Sequence, residues 1–138
     1  MTLVNFGRNV RFEPAALVAV TDRNDVLAQL EQFRGRNIRA IGALHSWSDT
    51  ARGDDVVVDV SGLNSVTLNK NAGRADVGAG CTIDRLLDAL AADGYTLPAY
   101  GIIGRQTLAG ATVDAPPQYW RSVPADHPGL FGDLQSRR

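Results

Sequence analysis

Residues 38–49 read Ile38-Arg39-Ala40-Ile41-Gly42-Ala43-Leu44-His45-Ser46-Trp47-Ser48-Asp49. An apolar run at 38–41 ends in a glycine, and a short polar loop carrying a histidine follows. Upstream lies a second apolar run, 17–20. Asp22 and Asn24 come next, side chains suited to capping a helix N-terminus. Val26, Leu27, Leu30 and Phe33 recur at helical spacing, and Gly35 supplies the stop. Strand, helix and strand make a compact βαβ unit whose crossover should be right-handed. The 42–48 loop then sits at the carboxyl end of a parallel strand, where open α/β sheets bind ligands. Gly42 permits close approach of backbone to a ligand. Free N–H groups in such a loop suit a pyrophosphate. Taken alone, however, one His-Ser pair is better explained as a polar loop in which His45 caps the strand end. No G-x-G-x-x-G fingerprint is present, and no Gly-Lys-Ser/Thr follows to make a P-loop.

Further along the chain, 56–60 (VVVDV) is a third strand, 63–68 is less regular, and 75–77 is a short strand running into Gly78-Ala79-Gly80. Thr82 caps a second helix with Ile83, Leu86, Leu87 and Leu90 on one face. Asp84 complements the helix dipole, and Gly94 ends the helix. Residues 101–111 place small residues and glycines around Thr107, which reads alone as a connector. Cys81 reads as structural, and Trp47 as a packing residue. The order of elements is α/β or α+β with a small parallel element. From Val113 the text changes: Pro116, Pro117, Pro124 and Pro128 are four of the six prolines. The expected division is a domain at 1–112 and a poorly ordered, proline-rich tail at 113–138 that includes a solvated His127.

Composition narrows the function classes. The 138 residues carry 14 basic and 15 acidic side chains, a net charge of −1, so no nucleic-acid footprint is expected. A single cysteine and two distant histidines give no disulfide framework and no metal site. No apolar run is long enough for a membrane span, and the first residues lack a signal-peptide pattern. A cytoplasmic location is expected.

Five blocks in register carry a resemblance: NFGRNVRFEP, IRAIGALHSWSDTA, DVVVDVSGLNSV, DVGAGCTIDRLLDALAADGYTLPAYG and RQTLAGAT. Over residues 5–112 the chain resembles the N-terminal part of the flavoproteins of the vanillyl-alcohol oxidase and p-cresol methylhydroxylase (PCMH) family. The sugar-alcohol (alditol) and aldonolactone oxidases are nearest in character. The resemblance implies an α+β fold, with a small parallel βαβ element and flanking helices as the first subdomain of a PCMH-type FAD-binding domain. It implies FAD as cofactor, held by Gly42, Ala43, Leu44, His45, Ser46, Trp47 and Ser48, with Thr107, Ala109 and Gly110 passing close by. His45 matches the histidine that many members bond to the flavin 8α-methyl, although a non-covalent FAD is equally compatible with the family.

The family pattern stops at Thr112, where a Ser/Thr-Gly-Thr-His-Gly type loop and a substrate domain would follow. Val113-Asp114-Ala115-Pro116-Pro117 stands there instead, as in a truncated or frameshifted frame. The resemblance implies an oxidoreductase acting on CH–OH groups of sugar alcohols or aldonolactones, with hydride passing to flavin N5 and oxygen as acceptor. The isolated chain is expected to be inactive, and no residue stands out as its catalytic base. The alternatives are a non-catalytic remnant and a binding module without cofactor.

Overall fold

The structure is a computed structural model, and it describes residues 1–97, 101–114 and 132–133. A hairpin opens the chain: β1 (Leu3–Val4) pairs antiparallel with β2 (Arg11–Phe12). Next come β3 (Ala16–Ala19), α1 (Arg23–Gln32), β4 (Ile38–Ile41) and β5 (Val56–Asp59). The three strands form a parallel sheet in the order β3-β5-β4. β6 (Val66–Asn69) and β7 (Arg74–Val77) make an antiparallel pair. α2 (Ile83–Ala92), β8 (Tyr95–Thr96), α3 (Leu108–Asp114) and β9 (Gly132–Asp133) complete the described elements, with β9 antiparallel to β8.

The βαβ unit differs from expectation in one respect. Its two strands are not neighbours, because β5 lies between them and both Ala16 and Ile38 register with Val56. The valines explain why. Val56, Val57 and Val58 are all buried, and a strand apolar on both faces gains most from the central place. β4 exposes Arg39 and Ala40 and tolerates the edge.

α1 starts where its cap allows. The Asp22 carboxylate accepts the Asp25 N–H at 2.9 Å, so Asp22 rather than Asn24 is the cap. The inward stripe is not the leucine stripe. Val26, Gln29 and Phe33 are half-buried, whereas Leu27 and Leu30 are 53% and 47% exposed. α2 matches its pattern more closely. Thr82 Oγ1 accepts the Arg85 N–H, Ile83, Leu86 and Leu90 are buried, and Gly94 sits at φ +79° just past the end. Such a left-handed residue is cheap only for glycine.

Two apolar clusters hold these parts. Cys81, Leu86 and Leu90 pack against Val66, Leu68, Ala75 and Val77. Phe12, Ile41 and Val57 pack against Leu3, Leu17 and Leu44. Cys81 is fully buried, and that burial pushes its thiol pKa up, which keeps it protonated and inert. Three of the elements escape the sequence patterns. β1 and β2 are too short to show a period, and α3 occupies part of the segment that reads as a connector. The proline-rich stretch with His127 falls, apart from its first and a few later residues, outside the described residues. Among the described residues no helix is long and apolar enough to cross a membrane.

Candidate cofactor-binding site

β4 delivers the chain into the 42–48 loop directly after buried Ile41. Gly42 lies against Thr107, and a methyl group on it would run into the Thr107 hydroxyl. Leu44 adopts φ +53°, the left-handed region, at a cost of about 1–2 kcal/mol for an L-residue. Two contacts hold it there: its side chain packs on the Phe12–Ile41–Val57 cluster, and its carbonyl accepts the Phe6 N–H at 2.8 Å. Left-handed residues in a short run turn successive N–H groups into anion-binding concavities.

The loop's donors are unspent. Among the described residues, no acceptor meets the backbone N–H of Gly42, Ala43, Leu44, His45, Ser46 or Trp47. Such groups ordinarily find a partner in the protein, in water or in a ligand. The His45 ring stacks on Phe6 with centroids 4.6 Å apart, and its Nδ1 is buried without a hydrogen-bond partner among the described residues.

The opposing wall is fixed by α2. Residues 104–108 dock on its N-terminal end: Ile83 N–H donates to Gln106 O at 3.0 Å, Asp84 N–H to Gly104 O at 2.9 Å, and Leu108 N–H to Cys81 O at 2.7 Å. Thr107 is buried, and its hydroxyl accepts the Gly110 N–H at 3.2 Å, opening α3. Between the two walls lies a cavity of about 340 Å³. That is near the lower end of small-molecule sites, typically about 300–1,000 Å³.

Gly42, Ala43, Leu44, His45, Ser46, Thr107, Ala109 and Gly110 all line this cavity. Trp47 and Ser48 are not part of its lining. Trp47 is 67% exposed, lies over Gly7 and meets Phe6 edge-on. The Ser48 hydroxyl bonds to those of Ser46 and Thr50. Sequence reasoning missed Arg39, Ala79, Gln106 and Ala111, which also line the space. Ala79 stands in the Gly78-Ala79-Gly80 turn, which a tight turn explains by itself; Arg39 is a cation placed only by the register of β4. The lining holds Arg39 and no carboxylate among the described residues. An anion entering it therefore meets no carboxylate among these residues.

A family model described as an FAD binding domain matches residues 14–118. The chain belongs to this FAD binding domain family. It is 46% identical over 109 residues to a long-chain alcohol oxidase of an uncultured marine euryarchaeote, covering 78% of this chain and 23% of that protein. It is 34% identical over 106 residues to the L-gulono-1,4-lactone dehydrogenase of Mycobacterium tuberculosis, covering 74% and 24%. The chain thus spans about a quarter of the length of the curated relatives it matches. Among solved structures, cholesterol oxidase from B. sterolicum superposes with TM-score 0.66 at 19% identity, over 80% of this chain and 22% of that one. GilR, an oxidoreductase of gilvocarcin biosynthesis, gives TM-score 0.55 at 24% identity, over 64% and 19%. At those identities the likenesses establish the fold alone. The cofactor of the FAD binding domain family is FAD.

Proposed function

We propose that this FAD binding domain holds the pyrophosphate end of FAD on the 42–47 loop. Gly42, Ala43, Leu44, His45 and Ser46 would supply backbone donors, and the Ser46 hydroxyl a further one. Thr107, Ala109 and Gly110 would close the opposite side, with Trp47 and Ser48 supporting the loop from outside. The observation that carries this reading is the run of unpartnered N–H groups beside a cavity whose described lining contains no carboxylate.

His45 is the proposed anchor for the flavin 8α-methyl. Its buried, unpartnered Nδ1 supports that role, since a neutral imidazole nitrogen is the nucleophile such a bond requires. The chemistry FAD supplies when bound is acceptance of hydride at N5 from an alcohol carbon, with oxygen as onward acceptor. The whole protein's substrate would be a small polar alcohol, a sugar alcohol or an aldonolactone. Residues 1–112 form the cofactor-holding part in this proposal, and 113–138 lie outside it.

The test is direct. The expressed chain is saturated with FAD, and flavin absorbance is recorded before and after acid precipitation. Colour that stays with the pellet, and leaves it in His45→Ala, supports the anchor. Colour released to the supernatant supports a non-covalent site. A chain that takes up no FAD contradicts the proposal. The 138-residue chain is expected to release no hydrogen peroxide with polyols or aldonolactones, because its cavity wall offers no carboxylate base among the described residues.

A further inference from the structure

The turn joining β1 to β2 contributes no residue to the described cavity wall, yet it grips the loop that does. Phe6 N–H donates to Leu44 O at 2.8 Å, Asn5 Nδ2 to Ser46 O at 2.8 Å and Asn9 Nδ2 to Trp47 O at 2.9 Å. Asn5 is itself buried and fully engaged: it also donates to Asn9 Oδ1 at 2.8 Å and accepts the Val10 N–H at 3.0 Å. Arg8 takes φ +57° so that the turn can close with its N–H on Asn5 O.

Peptide geometry gives these contacts a direction. In a trans peptide the N–H points opposite to the C=O of the same unit, and no described peptide is cis. Holding the carbonyls of Leu44, Ser46 and Trp47 toward the turn therefore aims the N–H groups of His45, Trp47 and Ser48 away from it; the Ser48 N–H is taken by Ser46 Oγ at 3.3 Å, which leaves those of His45 and Trp47 for a ligand. His45 and Ser46 line the cavity, whereas the turn contributes no residue to its described wall. Phe6 adds its ring, stacked on His45.

We infer that the 5–10 turn is a positioning clamp, in which the Phe6 N–H and the Asn5 amide fix the Leu44 and Ser46 carbonyls, Asn9 braces Asn5 and the Trp47 carbonyl, and the His45 and Trp47 N–H groups are so pre-aimed at an anionic ligand. The inference rests on the proposed FAD site. Donors set before binding spare the ordering cost that a floppy loop would incur. This assigns a role to the NFGRN stretch, whose side chains do not reach the cavity.

The experiment uses the full chain, calorimetric titration with FAD and with riboflavin, and amide hydrogen exchange. Riboflavin lacks the pyrophosphate. Asn9→Ala is expected to weaken FAD binding about tenfold, to leave any riboflavin binding unchanged, and to speed exchange at residues 45–47, with the melting temperature close to that of the wild type. Asn5→Ala should do the same more strongly; should that variant fail to fold, Asn9→Ala decides alone. Asn9→Ala binding FAD like the wild type overturns the clamp and leaves the FAD site standing. Equal losses for FAD and riboflavin also overturn it, since they indicate general loosening. A wild-type chain that binds no FAD overturns the site, and the clamp's ligand role with it.

Discussion

Gly42 has Thr107 where a side chain would go. The glycine is thus a contact between the two walls of the cavity as well as a turn. Gly42→Ala must displace the Thr107 side chain, which also opens α3 by accepting the Gly110 N–H. Overpacking of this kind costs about 1–3 kcal/mol. Denaturant unfolding is expected to show that loss, together with weaker FAD uptake. Unchanged stability and uptake would mean that the walls separate more easily than their contact indicates. At this scale the sequence is informative where local chemistry is specific: Gly42, His45 and Thr107 all reach the cavity. It is silent where a role depends on distant partners. Nothing in Asn5 or Asn9 alone announces that their amides end on carbonyls some 40 residues away, 41 for Asn5 and 38 for Asn9.

Elements show the same division. The cap at Thr82 and the stop at Gly94 are local, and α2 follows them. The order β3-β5-β4 is a long-range choice, decided by which run gains most from burial on both faces. α1 is legible as a helix, but its inward face carries Gln29 between Val26 and Phe33, so the leucine stripe misleads. One ion pair ties the segment before edge strand β4 to the segment before central β5. The Asp55 carboxylate accepts from the Arg36 guanidinium and from the Asn37 N–H, the latter at 3.0 Å. The Arg36 bond first, then the Asn37 bond, hold its pKa below the usual 3.8, against a smaller opposing effect of burial. A carboxyl depressed in the folded state adds stability that is present above its unfolded pKa and lost as pH falls through the folded one. Asp55→Asn should therefore melt below the wild type at pH 7. The gap should narrow once the pH drops under about 3.8 and close below the folded pKa. A gap that stays constant through that range would show that the ion pair contributes nothing to the pH dependence. Because the pair is partly exposed, added salt should also shrink the difference.

On the scale of the whole molecule, five blocks in register announce the FAD binding domain more clearly than any one motif. The family match over residues 14–118 agrees with that resemblance. Its substrate is not legible, because the described cavity wall is lined mainly by small and apolar residues that select no particular alcohol. A cofactor held as proposed must therefore register on the 42–47 amides. Backbone ¹H–¹⁵N spectra of the chain titrated with FAD test it most directly. The account predicts that the largest downfield proton shifts fall on residues 42–47, as those N–H groups gain charged acceptors. FAD that leaves these amides unmoved, or moves chiefly amides remote from Gly42 and Thr107, would contradict it.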